Sequence, residues 1–124
     1  MQALHHKKTL VIGASTNPER YSYMAVKKLL KYEFPVLAVG LREGEIDGVK
    51  IEPPGTDFNG VHTVTMYVGP KNQTSYYDYI IRLQPKRVIF NPGTQNVEFE
   101  KKLRDAGIHV THACTLIMLS NHLF

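Results

Sequence analysis

The chain has 124 residues, of which 43% are hydrophobic and 21% are charged, as is ordinary for one globular domain. The net charge of +4 permits an anionic ligand, but the basic residues are scattered among acidic ones, which argues against nucleic acid. The chain has a lone cysteine, which excludes an internal disulfide scaffold. It has no apolar run of about 18 residues, which excludes a membrane span. Both observations favour a cytoplasmic protein.

The first predicted strand, Thr9–Ile12, follows a polar lead-in of residues 1–7 and ends at a single glycine. Gly13 permits a tight turn there, and the next hydroxyl side chains, Ser15 and Thr16, are donors where a second glycine often stands. A loop between a strand and a helix presents backbone N–H groups that neither element uses. This stretch therefore predicts an anion site that suits a phosphate.

The helix after this loop is predicted to run from an N-cap at Ser22 to about Lys31. The preceding Asn17 and Pro18 favour a turn. Arg20 would lie beside the phosphate, to which a guanidinium can donate two parallel hydrogen bonds. The alternative is a plain turn between two packed elements, because the complete Gly-x-Gly-x-x-Gly fingerprint is absent.

The rest of the chain, from residue 35 on, continues the alternation of strands and helices. Residues 35–39 predict the second strand, residues 45–48 a turn, residues 49–52 a short strand, and residues 61–68, 87–91 and 109–111 three more strands. Residues 73–83 predict a helix capped by Asn72 or Thr74, and residues 115–119 a short final helix. Asn96 is predicted to cap a helix that ends at Ala106, before Gly107.

This alternation predicts an α/β fold: a three-layer, doubly wound, mostly parallel sheet of five main strands and one short strand, in a single domain of residues 1–124. In such sheets ligands bind at the carboxyl ends of the strands. Four loops are expected there, at residues 13–22, 40–42, 69–71 and 91–94.

The end of the second strand bears on the kind of nucleotide. A nicotinamide cofactor usually needs an acidic residue there, whereas this chain has Arg42, which favours an extra phosphate on the ribose. Coenzyme A and NADP both carry such a phosphate. A solvated arginine paired with Glu43 or Glu45 is an equally good interpretation.

The chain resembles a known family over residues 8–119. The matching motifs are Gly13-Ala14-Ser15-x-x-Pro18-x-Arg20-x-Ser22, then Gly48-Val49-Lys50-Ile51, Asn91-Pro92-Gly93 and Cys114. They are similar to those of the small stand-alone coenzyme A binding proteins, which are related to the coenzyme A domain of the succinyl-coenzyme A synthetase alpha subunit. The resemblance implies a Rossmann-type sheet that holds coenzyme A by its diphosphate on the first loop, usually with no established reaction.

The resemblance and the predicted edge of the sheet together give a set of cofactor-binding residues. They are Gly13, Ala14, Ser15, Pro18, Arg20, Ser22, Val39, Gly40, Leu41, Arg42, Val68, Lys71, Asn91, Pro92 and Gly93. The chain departs from its relatives at three places, with Gly40-Leu41 in place of Asn-Pro, Gly69-Pro70-Lys71 in place of arginines, and His112-Ala113 in place of Asp-Arg.

The leading hypothesis is a module that binds coenzyme A or an acyl-coenzyme A without catalysis of its own, with no catalytic residue and no metal site. A homodimer and a coenzyme A-dependent enzyme partner both stay open. A fragment of an NADP-dependent oxidoreductase is the second hypothesis, and an interaction scaffold without a ligand is the third, motivated by the apolar residues 116–119. His112 and Cys114 are interpreted as a surface histidine and a structural cysteine rather than as a reactive pair.

Overall fold

The computed structural model describes residues 7–124, so the predicted polar lead-in lies, except for Lys7, outside the described residues. Strands and helices alternate through this range, as predicted. They are β1 (Thr9–Ile12), α1 (Tyr21–Lys31), β2 (Val36–Val39), β3 (Gly44–Ile46), β4 (Val49–Glu52), β5 (Thr63–Met66), α2 (Tyr77–Leu83), β6 (Arg87–Phe90), α3 (Val97–Asp105), β7 (His109–His112) and α4 (Thr115–Ser120). Two short 3₁₀ turns, Pro70–Asn72 and Thr74–Tyr76, precede α2. Among the described helices, none has the length and apolar character needed to cross a bilayer.

The strands form one sheet in the order β3-β4-β2-β1-β5-β6-β7. Every neighbouring pair is parallel except β3 and β4. The chain builds outward from β1 to one edge, then returns to pair β5 with the other side of β1 and builds to the opposite edge. This reversal between β1 and β5 confirms the doubly wound fold, and it is the point where such sheets open a ligand crevice.

Helices cover both faces of the sheet, as predicted. On one face α2 and α3 pack through aromatic rings: Phe99 stacks on Tyr77 with 4.3 Å between ring centroids and meets Phe90 edge-on at 5.9 Å. On the other face α1 and α4 lie together, and Leu29 and Leu119 are buried in the same core. All four residues of β1 and of β5 are buried, because central parallel strands are covered on both sides.

The sheet has one strand more than the sequence predicts, because part of the predicted turn at residues 45–48 is a strand. β3 pairs antiparallel with β4 across the two-residue turn Asp47-Gly48, where both residues have positive φ, at 45° and 87°. That geometry is typical of a type I′ hairpin, for which Asp-Gly is a strong signal. An ion pair of 2.8 Å between Lys27 and Asp47 joins the hairpin to α1.

The helix predicted for residues 73–83 is shorter than expected. Asn72 ends the first 3₁₀ turn and Thr74 begins the second, so neither caps the α-helix, which begins only at Tyr77. The reason is Gln73, which is fully buried and donates from its side chain to Val68 O, so that the chain bends inward before the helix starts. By contrast, the cap at Asn96 is confirmed, since its side chain accepts the Phe99 N–H at 3.0 Å.

Several basic side chains lie near His62 at the amino-terminal edge of the sheet. The burial of His62 and these positive charges predict that the stability of the protein depends on pH. Burial, followed by the charges of Arg87, Lys7 and Lys86, lowers the pKa of His62 from 6.5. The unfolded chain therefore binds more protons than the folded protein as the pH falls through 6.5, and the His62 contribution lowers the free energy of unfolding on acidification. We expect His62→Gln to flatten the change in unfolding free energy between roughly pH 7.5 and pH 5.5, measured by urea denaturation.

The matched control is His109→Gln, at an exposed position at the start of β7. It should keep the wild-type pH dependence. Equal slopes for wild type and His62→Gln would contradict the prediction.

Candidate functional site

The carboxyl ends of the parallel strands meet along one edge, and their last residues form a row. Ile12 of β1 lies in register with Val39 of β2 and with Met66 of β5, which continues to Phe90 of β6 and His112 of β7. The loops that follow these residues contain every predicted site residue except Val39, which ends β2 itself, and Ser22, which lies in the first turn of α1. The fold therefore brings the predicted site residues to a single edge.

The loop after β1 begins with a glycine that the packing requires. Gly13 has φ +92°, and a Cβ on it would lie only 3.0 Å from the Val68 side chain and 3.1 Å from the Tyr67 backbone. The N–H groups of Gly13 and Ala14 both donate to Val39 O, at 3.0 and 2.9 Å. The expectation that this loop leaves its backbone N–H groups unused is therefore wrong for its first two residues, which attach the loop to β2.

The following loop residues keep free donors. Within residues 7–124 the N–H groups of Ser15 and Thr16 make no hydrogen bond, and the Ser15 hydroxyl accepts the Asn17 N–H at 3.1 Å. The Asn17 side chain in turn accepts the Glu19 N–H at 3.0 Å, which shapes the predicted turn at Asn17-Pro18. Ser15 is half-buried and Thr16 is exposed, so a ligand can reach both.

Helix α1 begins two residues earlier than predicted. Its N-cap is Arg20 with no side-chain capping bond, and Ser22 is buried in the first turn instead of capping it. The start is fixed by Asn17, whose carbonyl accepts the Arg20 N–H at 3.0 Å and completes the turn. Arg20 is exposed and has no ion pair in the described part of the chain, beside first-turn N–H groups that no acceptor occupies.

The end of β2 packs tightly on this loop. A Cβ on Gly40 would lie 2.3 Å from Ala14 O, and a Cβ on Gly44 would lie 2.4 Å from Thr16 Cγ2. Beyond Gly40 the chain turns outward, so that Leu41 is 88% exposed. Arg42 is also exposed and forms no ion pair with any described residue, so the pairing with Glu43 or Glu45 considered above is not formed.

The loop after β5 borders the same edge of the sheet, on the side of β1 away from β2. The Val68 side chain occupies the space beside Gly13 that a Cβ would need, and Lys71 is exposed in the first 3₁₀ turn. Gln73 fixes this loop, because its side chain donates to both Val68 O and Thr94 O, at 2.8 and 2.7 Å. Sequence reasoning missed this residue, since a glutamine in a helical pattern gives no sign that it is buried.

The neighbouring Tyr67 contributes a buried phenol at the same edge. Burial raises its pKa to about 12, so the hydroxyl is neutral near pH 7.

The loop after β6 contains a predicted site residue whose side chain is used inside the protein. Asn91 donates to Thr65 Oγ1 at 2.7 Å and to Met66 O at 2.8 Å, and it accepts the Thr115 N–H at 2.9 Å. No polar atom of its side chain is left for a ligand. Its exposed neighbours Pro92 and Gly93 border the edge.

A histidine–carboxylate pair stands at the end of β7. His112 Nε2 lies 2.7 Å from Glu100 Oε1, and the Glu100 side chain is 5% exposed against 50% for His112. Sequence reasoning named His112 as a surface histidine but missed Glu100, because the two residues are brought together only by the packing of α3 beside β7. Cys114 is half-buried and unpaired, at the N-cap of α4.

Comparison with known proteins gives a family and several similar structures. The profile of the family described as "CoA binding domain" matches residues 7–120. An uncharacterized protein of known crystal structure is 46% identical, with a TM-score of 0.92 over 95% of this chain and 98% of its own. A hypothetical protein from Pyrococcus horikoshii OT3 is 30% identical, with a TM-score of 0.85 over 94% of this chain and 83% of its own.

A more distant similarity is to a dinucleotide-forming acetyl-coenzyme A synthetase from Ca. Korarchaeum cryptofilum. It is 18% identical, with a TM-score of 0.72 over 84% of this chain and 25% of its own, and it bears on the fold alone. No functionally curated protein is significantly similar to the chain.

Proposed function

The chain belongs to the CoA binding domain family, and from this premise we propose that it binds coenzyme A or an acyl-coenzyme A through the loop after β1, without catalysis of its own. In this proposal the whole chain is one binding domain. The diphosphate lies against Ser15, Thr16 and the start of α1, with Arg20 as the neighbouring cation.

One observation carries the proposal: five backbone N–H groups around this loop make no hydrogen bond within the described residues. They belong to Ser15, Thr16, Tyr21, Ser22 and Tyr23. The last three form the positive end of an eleven-residue helix, where a negative group is stabilised by the helix dipole and by direct hydrogen bonds. An unpaired guanidinium at Arg20 adds a charge-assisted contact.

The end of β2 suits the adenosine part of the ligand. Leu41 offers an apolar side chain that is 88% exposed, which a purine ring can cover. Arg42 has no ion pair in residues 7–124 and stands where a ribose phosphate requires a cation. Val68, Lys71, Pro92 and Gly93 complete the border of the proposed site, while the buried Val39, Gly40 and Asn91 support it from inside.

Arg42 also supports a second candidate, NADP, which carries a phosphate on the same sugar. Isothermal titration of the purified protein with coenzyme A, 3′-dephospho-coenzyme A and NADP separates the two ligands. Coenzyme A is expected to bind at one site, the dephosphorylated analogue more weakly and NADP not at all. Binding of NADP alone would favour the second candidate, and no heat and no rise in Tm with millimolar coenzyme A would overturn the proposal.

Arg20→Ala is expected to weaken coenzyme A binding about tenfold, the loss of one charge-assisted contact to a phosphate. The measurement is the same titration. The matched control is Arg82→Ala, since Arg82 lies in the last turn of α2 and pairs with Asp57 on the surface at 3.1 Å. Equal affinities for the Arg20→Ala and Arg82→Ala proteins would remove Arg20 from the site.

A further inference from the structure

The pair formed by His112 and Glu100 has no part in the proposed binding of the diphosphate. Glu100 is buried, and its second oxygen, Oε2, accepts the Asn96 N–H at 2.8 Å. Its first oxygen contacts His112 Nε2 at 2.7 Å, and the only other charged group on that oxygen is Arg104, at 3.8 Å, among the described residues. Phe90 packs edge-on against the imidazole with 6.2 Å between ring centroids.

These contacts determine what the imidazole offers to a ligand. A carboxylate oxygen can only accept a hydrogen bond. His112 Nε2 therefore carries its proton and donates a hydrogen bond to Glu100. In the neutral ring the other nitrogen, Nδ1, then has a free lone pair. Half of the His112 side chain is exposed, so this is a proton acceptor held in a fixed orientation at the surface.

The pair also stands at the edge that the proposed ligand occupies. His112 is in register with Phe90, Met66 and Ile12, the last residues of their strands, and Ile12 directly precedes Gly13. The chain after His112 is held against the end of β6, because Ala113 N–H donates to Phe90 O at 3.3 Å. From β1 to β7 there are three strand spacings, about 14 Å in total.

With the adenosine at β2 and the diphosphate at β1, the rest of the ligand can extend along the same edge, across β5 and β6 to β7. Resting on the proposed function, we propose that His112, oriented by Glu100, receives the thiol of coenzyme A. The S–H bond breaks, the proton passes to Nδ1, and the sulfur becomes a thiolate paired with the imidazolium, whose charge Glu100 balances. The site then selects free coenzyme A over a ligand without a thiol.

The test compares titrations with coenzyme A and with desulfo-coenzyme A, which lacks only the thiol. The wild-type protein is expected to bind coenzyme A about tenfold more tightly than the analogue. His112→Gln should abolish this difference and leave the affinity for desulfo-coenzyme A within about twofold of wild type. Glu100→Gln, which removes the balancing charge, should also reduce the difference, whereas a purely structural Glu100 would change the two affinities equally.

His109→Gln is the matched control, because this exposed histidine lies at the other end of the same strand. It should keep the tenfold preference. Equal affinity of the wild-type protein for the two ligands, or an unchanged preference in His112→Gln, would overturn this inference and leave the proposed function intact. Failure of the wild-type protein to bind either ligand would instead overturn the proposed function and this inference with it.

Discussion

Gly40→Ala is expected to lower the free energy of unfolding by about 3 kcal/mol and to abolish measurable coenzyme A binding. The added Cβ would lie 2.3 Å from Ala14 O and 3.0 Å from Ile51 Cγ2. The first of these neighbours is backbone, so the clash cannot be relieved by turning a side chain. The Gly40 N–H also donates to Glu52 O at 3.0 Å, which ties the residue to β4 and limits its movement.

The loss of binding is expected because the methyl group added by Gly40→Ala would push the loop after β1 away at Ala14. The Ala14 N–H is bonded to Val39 O, so pushing Ala14 away from Gly40 displaces the loop at its attachment to β2. Ser15 and Thr16, which follow, carry the free N–H groups of the proposed phosphate site. A shift of the loop therefore separates these donors from the start of α1.

Gly69→Ala is the matched control for this prediction. Gly69 lies at the same edge, but no atom stands within 4 Å of a Cβ built on it, and its φ of −64° suits any residue. Urea denaturation should show a change within about 0.5 kcal/mol for this variant. If Gly40→Ala unfolded at the same urea concentration as Gly69→Ala, the close packing of the two loops would be contradicted.

The sequence predicts the parallel strands well because their burial leaves a simple trace. The four residues of β1 and the three apolar residues that follow Arg87 in β6 are typical of a strand covered on both faces, and the helices between them show one apolar face. The β3 strand was missed because only Ile46 of its three residues is buried. Its position depends on the Asp47-Gly48 turn, a local signal that is present in the sequence but was interpreted only as part of a turn leading into the next strand.

The candidate site was predictable in position and less so in the detail of its donors. The order of strand, glycine and hydroxyl residues placed the loop correctly. The N–H groups of Gly13 and Ala14 donate to Val39 O because the ends of β1 and β2 lie close together. No local sequence pattern indicates that distance. Gln73 and Glu100 are buried polar residues held by distant partners, Thr94 O and His112, so their roles arise only in the folded chain.

Asn91 also shows what the sequence does not reveal. It was predicted to contact the ligand, but in the folded chain its side chain links parts of the protein to each other. Its side chain joins β5, through Thr65 and Met66, to the first N–H of α4, at Thr115. The residue is 3% exposed, so water cannot replace these partners. The hydroxyls of Thr65 and Thr115 bond to each other at 2.8 Å beside it, which makes the junction one polar network in an apolar surrounding.

Asn91→Ala is expected to lower the free energy of unfolding by about 3 kcal/mol, because Met66 O and the Thr115 N–H each lose a buried partner. Urea denaturation measures the loss, and amide exchange at Thr115 should become faster as α4 loosens. Asn72→Ala, at an exposed asparagine in the loop after β5, should change the stability by less than about 0.5 kcal/mol.

The two variants also separate support of the site from contact with the ligand. If Asn91 acts only from inside, the coenzyme A affinity of the folded Asn91→Ala protein should stay within about threefold of wild type, since the Ser15 and Thr16 donors lie on a different loop. A large loss of affinity with unchanged stability would instead make Asn91 a ligand contact, as the sequence first indicated. The geometry favours the first result, because every polar atom of the side chain already has a partner in the protein.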